Sequence, residues 1–168
     1  QSKIQVFTSL LGSSESAHEA NVAFEEAYIN EVAEQGVTPI PGALEIFAKL
    51  RERGIPVVLT TGFSRSTLNV LLTELNWFDL VDLTVTPEEA GRGRPFPDML
   101  IYAASHVNAH NPEYSLVVGD TESDMKSGVA FGSKNIVGVL SGAHDSAQLI
   151  SAGATSIVNS VADLSSLL

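Results

Sequence analysis

From Ile55 onward the sequence alternates short apolar runs with longer amphipathic stretches, and this rhythm limits the possible folds more than any other feature. The runs are IPVVLT (Ile55 to Thr60), DLTVT (Asp82 to Thr86), SLVVGD (Ser115 to Asp120), NIVGVL (from Asn135) and TSIV (from Thr155). Each is short, and most are rich in β-branched residues, as strands are. Between them lie helical patterns at about Gly42–Arg53, Ser66–Asn76, Pro97–Val107, a stretch ending near Phe131, Ser146–Ala152 and the C-terminus. Strands that read as continuous apolar runs and are separated by helices predict an α/β fold with a parallel sheet covered on both faces. Ligands of such sheets gather at the carboxyl ends of the strands, so the polar residues at those ends are the ones to examine.

The first segment has a different period. In ESAHEANVAFEEAYINEVAEQG the residues Ala17, Ala20, Phe24, Ala27, Tyr28 and Val32 recur at helical spacing, and Gly36 supplies a C-cap. The whole segment reads as helical. The connector VTPIPG, Val37 to Gly42, then separates it from the alternating part.

Charge and composition narrow the function classes. Twenty acidic against nine basic residues give a formal net charge of −11, a field that repels nucleic acid and anionic membranes. An anionic substrate therefore needs a local positive site, whether a metal, an arginine or backbone amides. Cysteine is absent, which excludes disulfides and thiolate metal sites. No apolar run approaches the roughly 20 residues that span a bilayer, and no export signal is present, so a cytoplasmic location is expected.

Three strand ends carry candidate chemistry. In VVGDTESD, Asp120 directly follows an apolar strand and Asp124 lies one helical turn beyond, a spacing that lets two carboxylates offer oxygens to a hard cation such as Mg²⁺. The alternative is that Asp120 or Thr121 only caps a helix. In VVLTTGFSR, Thr60, Thr61 and Gly62 end a buried-type strand, where a hydroxyl and successive amides at a helix start can cradle a phosphoryl group. The alternative there is an ordinary strand-to-helix turn. In TPEEAGRGRPFPDM, Arg94 and, with less claim, Arg92 sit among glycines and prolines, where a guanidinium could clamp phosphate oxygens or hold the carboxylates. His18, His106, His110 and His144 share no metal-ligand spacing and read as structural or exposed, while Trp77 and Phe78 read as core residues.

Taken in order, these segments resemble the haloacid dehalogenase-like hydrolase superfamily, with Thr60 in its second motif, a basic residue in its third, and Asp120 with Asp124 in its fourth. The finer match is to the phosphonatase-like branch, which is similar in its Thr-Thr-Gly turn (Thr60 to Gly62), its Gly-Arg-Pro (Gly93 to Pro95) and its Gly-Asp-Thr-x-Ser-Asp-Met-Lys run (Gly119 to Lys126). The resemblance implies a Rossmann-like parallel sheet in a three-layer αβα sandwich with a partial helical cap, residues 1–36 being the C-terminal part of the cap and 37–168 the hydrolase core. It implies a Mg²⁺-dependent hydrolase of a small phosphorylated or phosphonylated metabolite, in which Arg94 and Asp124 assist catalysis, Thr60, Thr61 and Gly62 bind substrate, and Asp120 and Asp124 bind the metal. It further implies a homodimer through the cap.

The family nucleophile is an aspartate on the first, central strand, which forms an aspartyl-phosphate that water cleaves. No aspartate precedes Asp79 here. That strand is therefore expected upstream of Gln1, in a segment of roughly forty to fifty residues if the domain is of ordinary size, and the chain as given should be inactive alone. Lys3 falls where phosphonatase carries a Schiff-base lysine, but Val6 stands where that enzyme has a histidine, which favours another phosphate ester or phosphonate as substrate. The reading from a different class is a non-catalytic module that binds phosphate or Mg²⁺ without turnover.

Overall fold

In a computed structural model, the backbone is described for residues 3–168 and the side chains from Phe7 onward. Two helices open the chain, α1 (Lys3–Leu11) and α2 (Ser14–Gln35). The helical reading holds, but the helix is broken at Gly12, where the backbone turns left-handed (φ 72°) and Ser13 caps the next helix by accepting from the Ser16 amide. Gly36 ends α2 as expected, with its N–H on the Val32 carbonyl. The buried side of α2 is rotated from the predicted stripe: Ala17, Glu25 and Val32 are buried, while Phe24 is exposed. A carboxylate on the inner face is invisible to a pattern that scores only apolar residues.

The remainder follows as α3 (Ala43–Glu52), β1 (Val58–Thr60), α4 (Arg65–Leu75), β2 (Leu83–Val85), the single turn α5 (Pro87–Ala90), α6 (Asp98–His106), β3 (Leu116–Gly119), α7 (Glu122–Phe131), β4 (Asn135–Val139), α8 (Ser146–Ser151) and β5 (Ser156–Val158). The expected terminal helix is instead a 3-10 stretch, Val161–Ser166, capped by the Ser160 hydroxyl on the Ala162 amide. Among the described residues no helix is long and apolar enough to cross a membrane.

All strand pairs are parallel, and they form two sheets. β1 lies beside β2 with Val58 opposite Leu83 and Thr60 opposite Val85. β3, β4 and β5 form the other sheet in that order, with Val117 opposite Ile136 and Gly138 opposite Ile157. Alternation along β4 serves both faces, as in a Rossmann-like three-layer arrangement. Ile136 packs with Met125, Leu149 and Ala152 from α7 and the α8 region, whereas Val137 packs with Ile46 of α3 and Leu164. A third cluster, Val85, Met99 and Ala103, fixes α6 on the first sheet with Val58 and Leu83 around it. Trp77 meets Phe47 edge-on at 5.2 Å, as a core residue would, but Phe78 is exposed.

β1 and β3 do not pair with each other, and among the described residues no strand lies between them. A slot of about 80 Å³ runs there, lined by Val58 and Thr60 on one side, Leu116, Val117 and Val118 on the other, and Met99 and Ser127 below. Leu116 and Val118, which a fully covered parallel sheet would bury, are 38% exposed beside it.

Candidate active site

Residues from three separate segments at or just beyond the carboxyl ends of the strands complete the lining of the slot. Thr60 is the last residue of β1, Arg94 comes from the loop before α6, and Asp124 stands on the first turn of α7; all three line the slot. The Gly62 Cα also approaches Arg94: a methyl added there would lie 3.9 Å from its terminal nitrogen. So the three sequence segments do converge, through Thr60, Gly62, Arg94 and Asp124.

Local chemistry explains why each residue stands where it does. Thr121 is the N-cap of α7, accepting from the Asp124 amide, while Asp124 returns the bond by accepting from the Thr121 N–H (3.0 Å) and hydroxyl (2.6 Å) with Oδ2. This is a capping box, and Thr121 thus fulfils the capping alternative. The other oxygen, Oδ1, accepts from Arg94 in an ion pair whose carboxylate is nearly buried. Gly119 makes room for it, since a Cβ at that position would come within 2.7 Å of Asp124 Oδ2. The Arg94 loop is fastened from below by the buried Ser127, whose hydroxyl donates to the Phe96 carbonyl at 2.9 Å. Arg92 is held away, paired with Asp98 at 2.7 Å and lying over the Phe96 ring at 4.3 Å.

Asp120, the first residue after β3, does not line the slot itself. Its Oδ2 accepts from the Ala143 amide at 3.0 Å, and its carbonyl accepts from the His144 amide at 3.2 Å. Gly142 is in such close contact that a Cβ would overlap the Asp120 carboxylate. His144 Nδ1 in turn accepts from the Glu122 amide at 2.8 Å, so the loop after β4 folds over the start of α7. Spacing alone gives His144 no place near the site; its position just past an apolar strand is the signal for one.

The turn after β1 is more fully bonded than a bare anion cradle. The Thr61 amide donates to the Val85 carbonyl, and the Thr61 hydroxyl accepts from the Phe63 amide at 3.2 Å. Ser64 caps α4, and its own amide donates to Glu25 of α2 at 3.3 Å. Thr60 shares the slot lining with Arg94, and the Cβ side of Gly62 faces the Arg94 terminal nitrogen.

For a divalent cation the donor set is partial. Asp120 and Asp124 supply hard oxygens of the right kind, but Mg²⁺ takes roughly six, and no group of three or more acidic or histidine side chains is assembled among the described residues. By donor chemistry Asp120 and Asp124 are the candidate ligands, although Asp124 already engages one oxygen with Thr121 and the other with Arg94. Lys3 opens α1, but its side chain lies outside the described residues.

The chain and its fold are similar to known proteins. A family model described as haloacid dehalogenase-like hydrolase matches residues 4–132. Phosphonoacetaldehyde hydrolase of Bacillus cereus is 37% identical over 113 residues, covering 66% of this chain and 42% of that protein. The chain thus spans well under two thirds of the curated relatives it matches. Among solved structures, a phosphonoacetaldehyde hydrolase-like protein from Oleispira antarctica superposes with a TM-score of 0.80 at 26% identity, covering 98% of this chain and 68% of that one. A hydrolase of the same superfamily from Deinococcus radiodurans, determined with bound phosphate and sodium, gives 0.70 at 30% identity, covering 77% of this chain and 58% of that one.

Proposed function

The chain belongs to the haloacid dehalogenase-like hydrolase family, and from that premise we propose that the protein carrying it is a Mg²⁺-dependent, phosphonatase-like hydrolase of a small phosphorylated or phosphonylated metabolite. The observation that carries this reading is the meeting of Thr60, Arg94 and Asp124 at one slot from a strand end, a loop and a helix start. A metabolite-sized anion needs local positive charge in a protein of net charge −11, and Arg94 provides it where backbone and hydroxyl donors also gather. Phosphate in the related Deinococcus structure is in keeping with a phosphoryl ligand.

The residues divide the work by their chemistry. The Thr60 hydroxyl and the Gly62 backbone donate to phosphoryl oxygens, with the Thr61 hydroxyl fixing the turn. Arg94, oriented by Asp124, directs its remaining N–H groups at the same oxygens and opposes the charge that accumulates there. Asp120 and Asp124 are the residues that would hold the cation. Mg²⁺, when bound, withdraws charge from the phosphoryl group and so eases attack on phosphorus. The attacking carboxylate is proposed to lie upstream of residue 1, on a strand seated between β1 and β3. Its oxygen bonds to phosphorus as the bond to the leaving group breaks, and water then cleaves the aspartyl-phosphate to release phosphate and regenerate the carboxylate. Residues 1–168 alone, with no aspartate before Asp79, are proposed to turn over nothing. Should the substrate be an aldehyde, Lys3 is the proposed imine former, and borohydride would trap it there.

The test is Mg²⁺-dependent phosphate release by the full-length protein from a panel of phosphate esters and phosphonates. The expected result is turnover that Asp120→Ala abolishes. Phosphate or Mg²⁺ binding without turnover on any member would instead establish a non-catalytic binding module.

A further inference from the structure

Among the described residues only two carboxylates are buried, Asp124 and Glu25, and the proposed reaction uses only the first. Glu25 is 9% exposed, in the middle of α2, and it faces the other end of the phosphoryl-binding turn. Its Oε2 accepts from the Ser64 hydroxyl and from the Thr67 hydroxyl at 2.6 Å. Its Oε1 accepts from the Ser64 amide and from the Asn21 side chain, each at 3.3 Å. Burial pushes the Glu25 carboxyl up, but the hydrogen bonds from Ser64, Thr67 and Asn21 outweigh it, so the group sits below its ordinary value and stays ionised.

A second contact runs alongside. Tyr28, one turn further along α2, stacks on Phe63 with ring centroids 5.0 Å apart, and Phe24 stacks on Tyr28 at 6.2 Å. Phe63 and Ser64 follow Gly62 directly. The turn is therefore gripped from two sides: by Val85 and Thr61 within the core, and by Glu25 and Tyr28 from α2. An ionised carboxylate is costly to bury unless its bonds are made, so the three donors from Ser64 and Thr67 fix α2 at one height over Ser64, while Asn21, on α2 itself, only adds to the carboxylate's bonding.

Resting on the proposed phosphoryl site, we infer that Glu25 is a positioning residue: through Ser64 it sets where the Thr60–Gly62 backbone stands opposite Arg94, and so controls affinity for the phosphoryl group. Because the turn contacts phosphate equally before and during reaction, losing this hold weakens ground-state and transition-state binding together. Glu25 does this without touching substrate.

The experiment compares full-length wild type, Glu25→Ala and Glu25→Gln by kcat, KM, the inhibition constant of inorganic phosphate, and hydrogen exchange at the Ser64 and Thr67 amides. Glu25→Ala should raise KM and the phosphate constant together by about tenfold, with kcat within about twofold, and speed Ser64 exchange. Glu25→Gln keeps an acceptor for the Ser64 amide but turns a donor toward two hydroxyls, and should shift both constants by roughly threefold. Faster exchange with an unchanged phosphate constant in Glu25→Ala overturns the inference, leaving only a helix cap. If that variant fails to fold, Glu25→Gln decides, and wild-type constants overturn the inference. A wild-type protein that binds no phosphate removes the proposed function itself, an outcome separate from any behaviour of the variants.

Discussion

Removing Arg94 tests the geometry of the slot in energetic terms. Asp124 has a side chain 7% exposed, and Arg94 has one 27% exposed. In Arg94→Ala, Oδ2 keeps its two bonds from Thr121, but Oδ1 loses its cationic partner. Breaking a fully buried pair costs about 3–5 kcal/mol. Here about a quarter of the Arg94 side chain meets solvent, so screening reduces the expected loss to about 1–2 kcal/mol. For a chain of this size that is a Tm drop of roughly 2–8 °C, at about 2–4 °C per kcal/mol. Asp124→Asn removes the charge while leaving an acceptor for the Thr121 N–H, and the double variant completes a cycle. Urea unfolding of the four proteins at pH 7 should give a coupling of about 1 kcal/mol. A coupling below about 0.3 kcal/mol would mean that Arg94 and Asp124 are only neighbours, and the account of Arg94 as an oriented phosphoryl clamp would go with it. The exposed Arg92–Asp98 pair serves as the control and should show almost none.

Glu89 carries a pH prediction. Its hydrogen bond from Arg65, against some burial and helped by Thr86, holds its carboxyl at about 2 rather than 4.5. A depressed folded value means stability that is full above about pH 4.5 and lost as pH falls through about 2. The Glu89→Gln penalty, about 1–2 kcal/mol at pH 7 after screening, should shrink over that window in acid-titrated urea melts; a constant penalty contradicts the assignment. Gly119→Ala should destabilise the chain by about 1–3 kcal/mol and displace Asp124, because the new methyl meets its carboxylate; wild-type stability in thermal melts would show that the close packing is wrong. Leu149, fully buried between α8 and β4, should cost about 2–5 kcal/mol when cut to alanine, read from the shift in urea midpoint, and a loss below 1 kcal/mol counts against that core.

Legibility followed the physics of each element. The strands at Val58, Leu116 and Asn135 are legible as short, continuous apolar runs, even where Leu116 and Val118 are partly exposed beside the slot, and α3, α4 and α6 through their period and flanking signals. What escaped depended on contacts between distant residues. The break at Gly12 needed a left-handed turn rather than a change in pattern. Glu25 reads as one more surface acid until Ser64 and Thr67, some forty residues later, supply its donors. The site followed the same division. Asp124 and Arg94 are candidates from local motifs, whereas the grip of Ala143 and His144 on Asp120 arises only when β4 brings their loop back. Thr121 caps α7, and the same capping box orients the candidate carboxylate Asp124.

The most direct measurement is a crystal structure of the full-length protein grown with Mg²⁺ and orthophosphate. The account predicts phosphate at the mouth of the slot, held by the Thr60 hydroxyl, the Gly62 backbone and the Arg94 guanidinium, with the cation on Asp120. Phosphate bound elsewhere, or a cation that leaves Asp120 bonded only to the loop at Ala143, would contradict it.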